Sequence, residues 1–309
     1  MKKNILILGG CGFIGSHVAD RFLAEGHAVR VLSRSPEIFR PPVKGGDYRF
    51  GELGNQVFLE ECLKGVDTVV HLVSTTTPKE SNEDMAFDIE SNLTQTVRAL
   101  QSCVRGGVGK VVFVSSGGAI YGNPTSCPVQ ENANTSPLCS YGVVKLAIEK
   151  YLEMFESLYG LRSVTLRVAN PFGPRQNPLG SQGVIAAILH KIHKGQPISV
   201  WGDGSVVRDF FYVEDLADAI RVAALEESAR GVFNIGSGVG VSLKELLSVV
   251  KAEIDVGFKI CYEPGRAFDV KEIYLDVAKA KKELGWEPKT SMSAGLRKTW
   301  DFIRSNPIG

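Results

Sequence analysis

Residues 6–17 read LILGGCGFIGSH. The apolar run NILIL at 4–8 stops at Gly9, and from Phe13 apolar residues recur at helical spacing through FIGSHVADRFLAEG to Gly26, a natural helix end. Gly9, Gly12 and Gly15 therefore fall between a strand and a helix. Each has a task there. One permits a tight turn, one lets backbone approach a pyrophosphate with no Cβ in the way, and one lets helix and sheet pack closely. The helix start turns free N–H groups and the positive end of its dipole toward the phosphates. A strand before and a helix after lift a glycine triplet above coincidence. The stretch points to a bound dinucleotide, with Gly9, Gly12, Phe13, Ile14 and Gly15 in contact.

Outward from there the chain alternates. AVRVLS (28–33), a strand near Tyr48–Phe50, a helix around Gln56–Leu63 and DTVVHLV (67–73) come first. A helical pattern from Asp84 to Val104, KVVFVSS (110–116), a helix over Tyr141–Tyr159 and RSVTLRV (162–168) follow. Strands rich in Val, Ile and Leu, separated by helices, indicate a parallel sheet covered on both faces. Right-handed crossovers make it a doubly wound, Rossmann-type α/β fold.

After Asn170 the texture changes: NPFGPRQNPLGSQG is rich in Pro and Gly. Shorter elements come next: a helix near Val184–His193, strands ISVW and RDFFYV, a helix near Glu214–Leu225, VFNIGSG, a helix from Leu243, and strands near Ile260 and Ile273. The expectation is a dinucleotide-binding unit over 1–170, with segments near 214–236 as candidates to return to it. A smaller mixed α/β C-terminal lobe over 171–309 would bind substrate.

The 309 residues are 44% hydrophobic and 22% charged, ordinary for a globular chain. A formal charge of +1 gives no electrostatic case for nucleic acid or an anionic membrane. No apolar run approaches the roughly 20 residues a bilayer requires. MKKNILILGG has two lysines before an apolar stretch, but Ile5–Leu8 ends in glycines and reads better as a core strand than as a signal peptide. The six cysteines are scattered with no C-x-x-C pair, so no metal or disulfide is expected and the setting reads as cytoplasmic.

An acid at the end of the second strand would hold the ribose hydroxyls of NAD. Here AVRVLSRSPE ends in Ser33 and Arg34, and an arginine there can accept the extra phosphate of NADP. Both dinucleotides stay open.

SYGVVKLAIEKYL (140–152) sets a phenol, Tyr141, one helical turn before an ammonium, Lys145, beside the apolar Val144, Ile148 and Leu152. A free phenol titrates near ~10 and is a poor base at neutral pH. A neighbouring positive charge favours phenolate, which can take a proton from a sugar hydroxyl while hydride leaves the same carbon. Lys145 can also bond the nicotinamide ribose. A third hydroxyl belongs at the carboxyl end of KVVFVSS, where open parallel sheets bind ligands: Ser116, with Ser115 as the alternative.

Together, G-x-x-G-x-x-G and Y-x-x-x-K resemble the extended short-chain dehydrogenase/reductase family. The likeness is to its nucleotide-sugar epimerase and dehydratase branch, with the UDP-glucose 4-epimerase type nearest, and it covers essentially the whole chain. The family's strand runs on to a VYG or IYG motif, here SSGGAIYG (115–122). Counting back from Tyr121, the commoner spacing reaches Gly117, and a loop one residue longer reaches Ser116. Dehydratases carry an acidic pair where this chain has Gly117, Gly118 and Ala119, which disfavours dehydration.

The resemblance further implies cofactor contacts at Glu52 and Leu53 for adenine and at Leu72, Val73 and Ser74 in HLVSTTTP (71–78). Asn92 would position that loop. RVANPFGPRQNP (167–178) implies Asn170 on the nucleotide diphosphate, GDGSVVRDFFYVEDLA (202–217) implies Arg208 on a phosphate, and GRAFDV (265–270) implies Arg266 on a phosphate and Asp269 on the uridine ribose. Arginine grips diphosphate as a permanent, forked cation. A plainer role for Arg208 is an ion pair with Asp209 or Asp215.

The leading expectation is a UDP-hexose 4-epimerase working through a 4-keto intermediate that turns about its diphosphate, in a pocket open near Val168. A reductase of an NDP-4-keto-deoxysugar would use the same residues in one direction. A catalytically idle NAD(P)-binding protein is the reading from another class. By resemblance, the helices over 84–104 and 141–159 would form a homodimer bundle.

Overall fold

The computed structural model describes residues 2–180, 182–264 and 270–306. Strand β1 (Asn4–Leu8) leads through the glycine loop to α1 (Phe13–Ala24), then to β2 (Ala28–Ser33), β3 (Asp47–Phe50), α2 (Gln56–Leu63) and β4 (Thr68–His71). Next come the single-turn helices α3 (Glu80–Glu83) and α4 (Met85–Asp88), a π-helical turn (Ile89–Thr94) and α5 (Gln95–Arg105). Strand β5 (Lys110–Ser116), the short α6 (Gly117–Ile120), α7 (Ser140–Tyr159) and β6 (Arg162–Val168) follow. The rest comprises β7 (Asn170–Phe172), α8 (Val184–His193), β8 (Ile198–Trp201), β9 (Val207–Tyr212), α9 (Val213–Leu225), β10 (Gly231–Ile235) and β11 (Gly240–Ser242). It ends in α10 (Leu243–Glu253), β12 (Ile260–Glu263), β13 (Glu272–Ile273), a second π turn (Ala280–Leu284) and α11 (Met292–Ser305).

Seven parallel strands form the main sheet in the order β10-β6-β5-β4-β1-β2-β3. Because side chains alternate along a strand, β1 feeds two cores. Ile5 and Ile7 pack with Val18 and Phe22 of α1 and Leu216 and Ile220 of α9. Leu6 and Leu8 pack with Leu59 of α2, Leu100 of α5 and Val144, Ile148 and Leu152 of α7. Each of these α7 side chains, buried in full, contributes about 1.5–3 kcal/mol.

The seventh strand comes from beyond residue 170: β10 pairs with β6 from Gly231↔Val164 to Ile235↔Val168. Elsewhere in this half β9 pairs with β7, β11 and β13, and with α8, α10 and α11 they enclose a separate core around Phe172, Leu189, Tyr212, Leu246 and Trp300, whereas α9 and the second π turn pack against the main sheet.

The helix read over Asp84–Val104 is not continuous. Asp84 caps α4 by accepting the Phe87 N–H at 2.9 Å, and the π turn breaks the register before α5. The break lets Asp88, Asn92 and Thr96 face inward, all at most 7% exposed, while Phe87 and Ile89 face out.

Candidate active site

The sites read from the sequence follow the carboxyl ends of successive strands: residues 9–15 after β1, 33–34 at β2, 52–53 after β3, 72–74 after β4, Ser116 at β5 and Asn170 after β6. They share one edge of a parallel sheet, the edge where such sheets take ligands.

Gly9 has φ +84°, a left-handed conformation, and its amide donates to Leu32 O at 2.8 Å. A Cβ on Gly15 would lie 2.3 Å from Gly9 O and 2.6 Å from Gly10 Cα, so only glycine lets α1 start this close to the turn. Gly12 is the N-cap and offers no side chain, which leaves the N–H groups at Phe13 and Ile14 open. Beneath the loop, the Ser33 hydroxyl accepts the Cys11 N–H at 2.9 Å, while Arg34 is exposed. Arg40, not singled out in the sequence, donates to Glu37 and Asp20 and to Ser16 O of α1. It ties the segment after β2 to the first helix.

The β4 loop meets the glycine loop: a Cβ on Gly9 would stand 3.4 Å from Leu72 C and Val73 N. Asn92 secures it. Its Oδ1 accepts the Thr75 N–H at 2.9 Å, and its Nδ2 donates to Thr76 Oγ1 at 3.1 Å and Asp88 Oδ1 at 2.9 Å. Leu53 is buried and Glu52 exposed just past β3, whose end is joined to β2 by Gly51 N donating to Ser33 O.

Tyr141 and Lys145 lie on the first turns of α7. The cap residue, Cys139, makes no side-chain cap, so the first amides are satisfied from α3: Asn82 Oδ1 accepts Ser140 N–H at 2.9 Å and Ser81 Oγ accepts Tyr141 N–H at 3.0 Å. The Ser116 side chain lies near the Tyr141 phenol and favours its ionised form. Ser115, one residue earlier and so on the opposite face, donates to Glu149 Oε1 at 2.6 Å. Glu149 is in turn held by Arg167 at 2.7 Å, and Arg167 Nη1 donates to the Tyr121 hydroxyl at 3.0 Å. The structure thus brings Ser116, and not Ser115, to Tyr141.

The electrostatics differ from the sequence argument. Burial pushes the Tyr141 phenol up to about 12; Cys139 and Asp88 push the same way, and only Ser116 opposes them. Lys145 Nζ stands 5.5 Å from the centre of the Tyr141 ring and 4.8 Å from that of Phe113, and donates to Val114 O at 3.1 Å. Burial brings it down to about 8, with Asp88 and then Glu149 raising it. In the protein alone the neighbouring ammonium does not acidify the phenol, because desolvation disfavours the charged form of both groups.

On the other lobe, Asn170 Nδ2 donates to Asp209 O at 3.0 Å. Arg208 Nη1 donates to Val207 O at 2.8 Å and Val270 O at 2.7 Å. Asp209 is buried and accepts from Ser237 N and Oγ at 2.7 and 2.6 Å, and Asp215 accepts from Thr290 N at 2.9 Å. These acids fasten loops. Val168 lies in the core beneath the sheet, in register with Ser116. Arg266 and Asp269 lie outside the described residues.

Sequence reasoning missed Asp88, Thr76, Ser81, Asn82, Ser140 and Glu149. One signal was available: Asp88, Asn92 and Thr96 recur every four residues, a polar stripe on a helix whose other faces carry Phe87 and Ile89.

With this geometry, the likeness to known proteins is specific. The NAD dependent epimerase/dehydratase family matches residues 5–236. A putative UDP-glucose 4-epimerase of Methanocaldococcus jannaschii is 33% identical over 308 residues, covering 98% of this chain and 99% of that protein. A dTDP-4-dehydro-6-deoxyglucose reductase of Escherichia coli is 30% identical over 311 residues, covering 98% of each. The crystal structure of a UDP-glucose 4-epimerase of Thermotoga maritima, solved with UDP-glucose, superposes with a TM-score of 0.93 at 35% identity, covering 98% of this chain and 99% of that one. The chain belongs to the NAD dependent epimerase/dehydratase family.

Proposed function

We propose that this protein is an NAD-dependent UDP-hexose 4-epimerase. The observation that carries the reading is Tyr141 with Lys145 5.5 Å from its ring and Ser116 nearby, at the same sheet edge as a glycine loop whose tight turn a single Cβ would block. Gly9, Gly12 and Gly15 with the open amides of Phe13 and Ile14 suit a pyrophosphate, and Ser33, Arg34, Glu52, Leu53, Leu72, Val73 and Ser74 line the same edge. Bound NAD would supply hydride exchange at the sugar C4, and its oxidised ring would add positive charge near the phenol.

Tyr141 takes the C4 hydroxyl proton and later gives it back. Ser116 bonds the same oxygen and steadies the phenol. Lys145 holds the local charge positive. Asn170, Arg208, Arg266 and Asp269 hold the nucleotide diphosphate and ribose while the 4-keto hexose turns to offer its other face.

The alternative is a reductase of an NDP-4-keto-deoxysugar. The Escherichia coli relative and Arg34 at the end of β2 favour it. An epimerase keeps its dinucleotide through turnover, whereas a reductase exchanges it. Denaturing the purified protein should release NAD, identified by mass, and incubation with UDP-glucose should yield the C4-inverted sugar. Absence of inversion with UDP-glucose, UDP-N-acetylglucosamine and UDP-glucuronate would remove the epimerase reading.

A homodimer in the cytoplasm suits the surface. Val143, Tyr151, Met154 and Leu158 form an exposed apolar stripe on α7, flanked by Met85, Phe87 and Ile89, and all six cysteines are free. Among the described residues no helix is long and apolar enough to cross a membrane.

A further inference from the structure

The proposed chemistry leaves one buried ion pair without a task. Glu149 on α7 and Arg167 on β6 are 1% and 5% exposed. Arg167 Nη2 donates to Glu149 Oε2 at 2.7 Å, and Arg167 Nε donates to both carboxylate oxygens at 3.2 Å. Ser115 of β5, also buried, donates to Glu149 Oε1 at 2.6 Å. The remaining guanidinium nitrogen, Arg167 Nη1, donates to the Tyr121 hydroxyl at 3.0 Å and Glu131 O at 3.2 Å, in the segment between α6 and α7. One pair therefore joins α7, β5, β6 and that segment.

An ion pair this deep loses hydration about as strongly as its charges attract, and apolar side chains of like volume often serve stability as well. Stability alone does not account for it, and position offers a second role. Tyr141, Lys145 and Glu149 recur every four residues, so they share one face of α7. Lys145 Nζ donates to Val114 O at 3.1 Å. One turn further on, Glu149 accepts from Ser115, the next residue of the same strand. The contact around these two ties is apolar: Val144, Ile148 and Leu152 pack with Leu8 and Phe113. Burial of apolar surface is non-directional. Two hydrogen bonds at successive turns, by contrast, fix where a helix sits along a strand.

We propose that Arg167 and Glu149 form a positioning unit that sets the register of α7 on β5, and so holds Lys145 at Val114 O and Tyr141 at the site. Arg167 fixes the carboxylate from β6, and the carboxylate fixes helix to strand through Ser115.

This inference rests on the catalytic reading of Tyr141 and Lys145, so its first test uses ligand-free protein and no turnover. Lys145 Nζ stands over two rings, 4.8 Å from the centre of Phe113 and 5.5 Å from that of Tyr141. Ring currents there should carry the Lys145 Hε resonances upfield of those of other lysines. They are read by NMR in protein labelled with ¹³C at lysine Cε, and assigned by their loss in Lys145→Met. Ser115→Ala removes the tie and leaves the ion pair. Its Lys145 signals should move toward the ordinary lysine position, and kcat should fall about tenfold while KM stays within about twofold. Ser115→Thr, which keeps the hydroxyl on a residue suited to a strand, should restore both. Glu149→Leu combined with Arg167→Met replaces the pair by apolar side chains. That protein should melt near the parent temperature and yet lose the Lys145 shift and most of its turnover.

Unmoved Lys145 signals in Ser115→Ala overturn the proposal. So does a Ser115→Ala protein changed only in Tm, or a folded double variant with parental signals and kcat. Ser115→Ala breaks no ion pair, so it decides the question even where the double variant does not fold. Signals that move in the variants of a parent protein that inverts no sugar count against the epimerase and leave the positioning unit standing.

Discussion

Tyr141 and Lys145 show how burial can oppose function within one pair of side chains. A fall in the Lys145 pKa from 10.5 to about 8 corresponds to roughly 3 kcal/mol of penalty on the charged form. The folded value lies below the unfolded one. The penalty is therefore complete below pH 8 and fades as pH rises through 8 to 10.5. Lys145→Met should abolish turnover by about 10²-fold or more and yet raise stability at pH 7 by about 1–3 kcal/mol. That gain should shrink toward pH 10, which urea melts of both proteins at several pH values would reveal; equal melts at every pH would contradict it. Tyr141 and Lys145 were readable because a four-residue spacing is local. Ser116 was preferred to Ser115 only by its place in the loop, since which hydroxyl faces the phenol depends on the pleat of β5. The phenol was read as acidified by Lys145, and the fold shifts it the other way, because burial is a property of the folded surroundings and not of the motif.

Among elements, the turn between β1 and α1 was legible down to individual glycines, because a strand, a tight bend and a helix start leave a dense local signature. Gly15→Ala tests it. Its Cβ would meet backbone atoms at 2.3 and 2.6 Å, which cannot rotate away. The variant should lose about 1–3 kcal/mol and emerge from purification with little dinucleotide, seen as a depressed absorbance ratio at 260 over 280 nm. Full occupancy would show that the helix can withdraw from the turn at little cost. The segment after β4 was the reverse. Its apolar pattern read as one helix, but Asp84 ends one turn and begins the next, and the π turn at Ile89–Thr94 re-aims Asp88 and Asn92. The caps of α7 arrive from Ser81 and Asn82, far back in the chain, and no local rule announces a cap supplied from a distance.

For the molecule as a whole, alternation of strands and helices was enough to expect a doubly wound sheet, and the observed order runs β3-β2-β1-β4-β5-β6 with β10 beyond. Membership of β10 rests on pairing with a strand far back in the chain, which its own residues could only allow. The stripe on α7 makes a prediction at this scale. Light scattering should give twice the chain mass for the parent protein, and Met154→Lys with Leu158→Lys should shift it toward one chain while the far-ultraviolet spectrum stays the same. A parent protein of single-chain mass would remove the dimer.

The late arrival of β10 also shapes how the molecule is made. When β6 leaves the ribosome its outer edge has no neighbour, and Val164, Leu166 and Val168 wait for seconds until Gly231–Ile235 emerges. During that interval the nascent chain carries an adhesive border, and any message cut short before β10 would yield a product prone to clump.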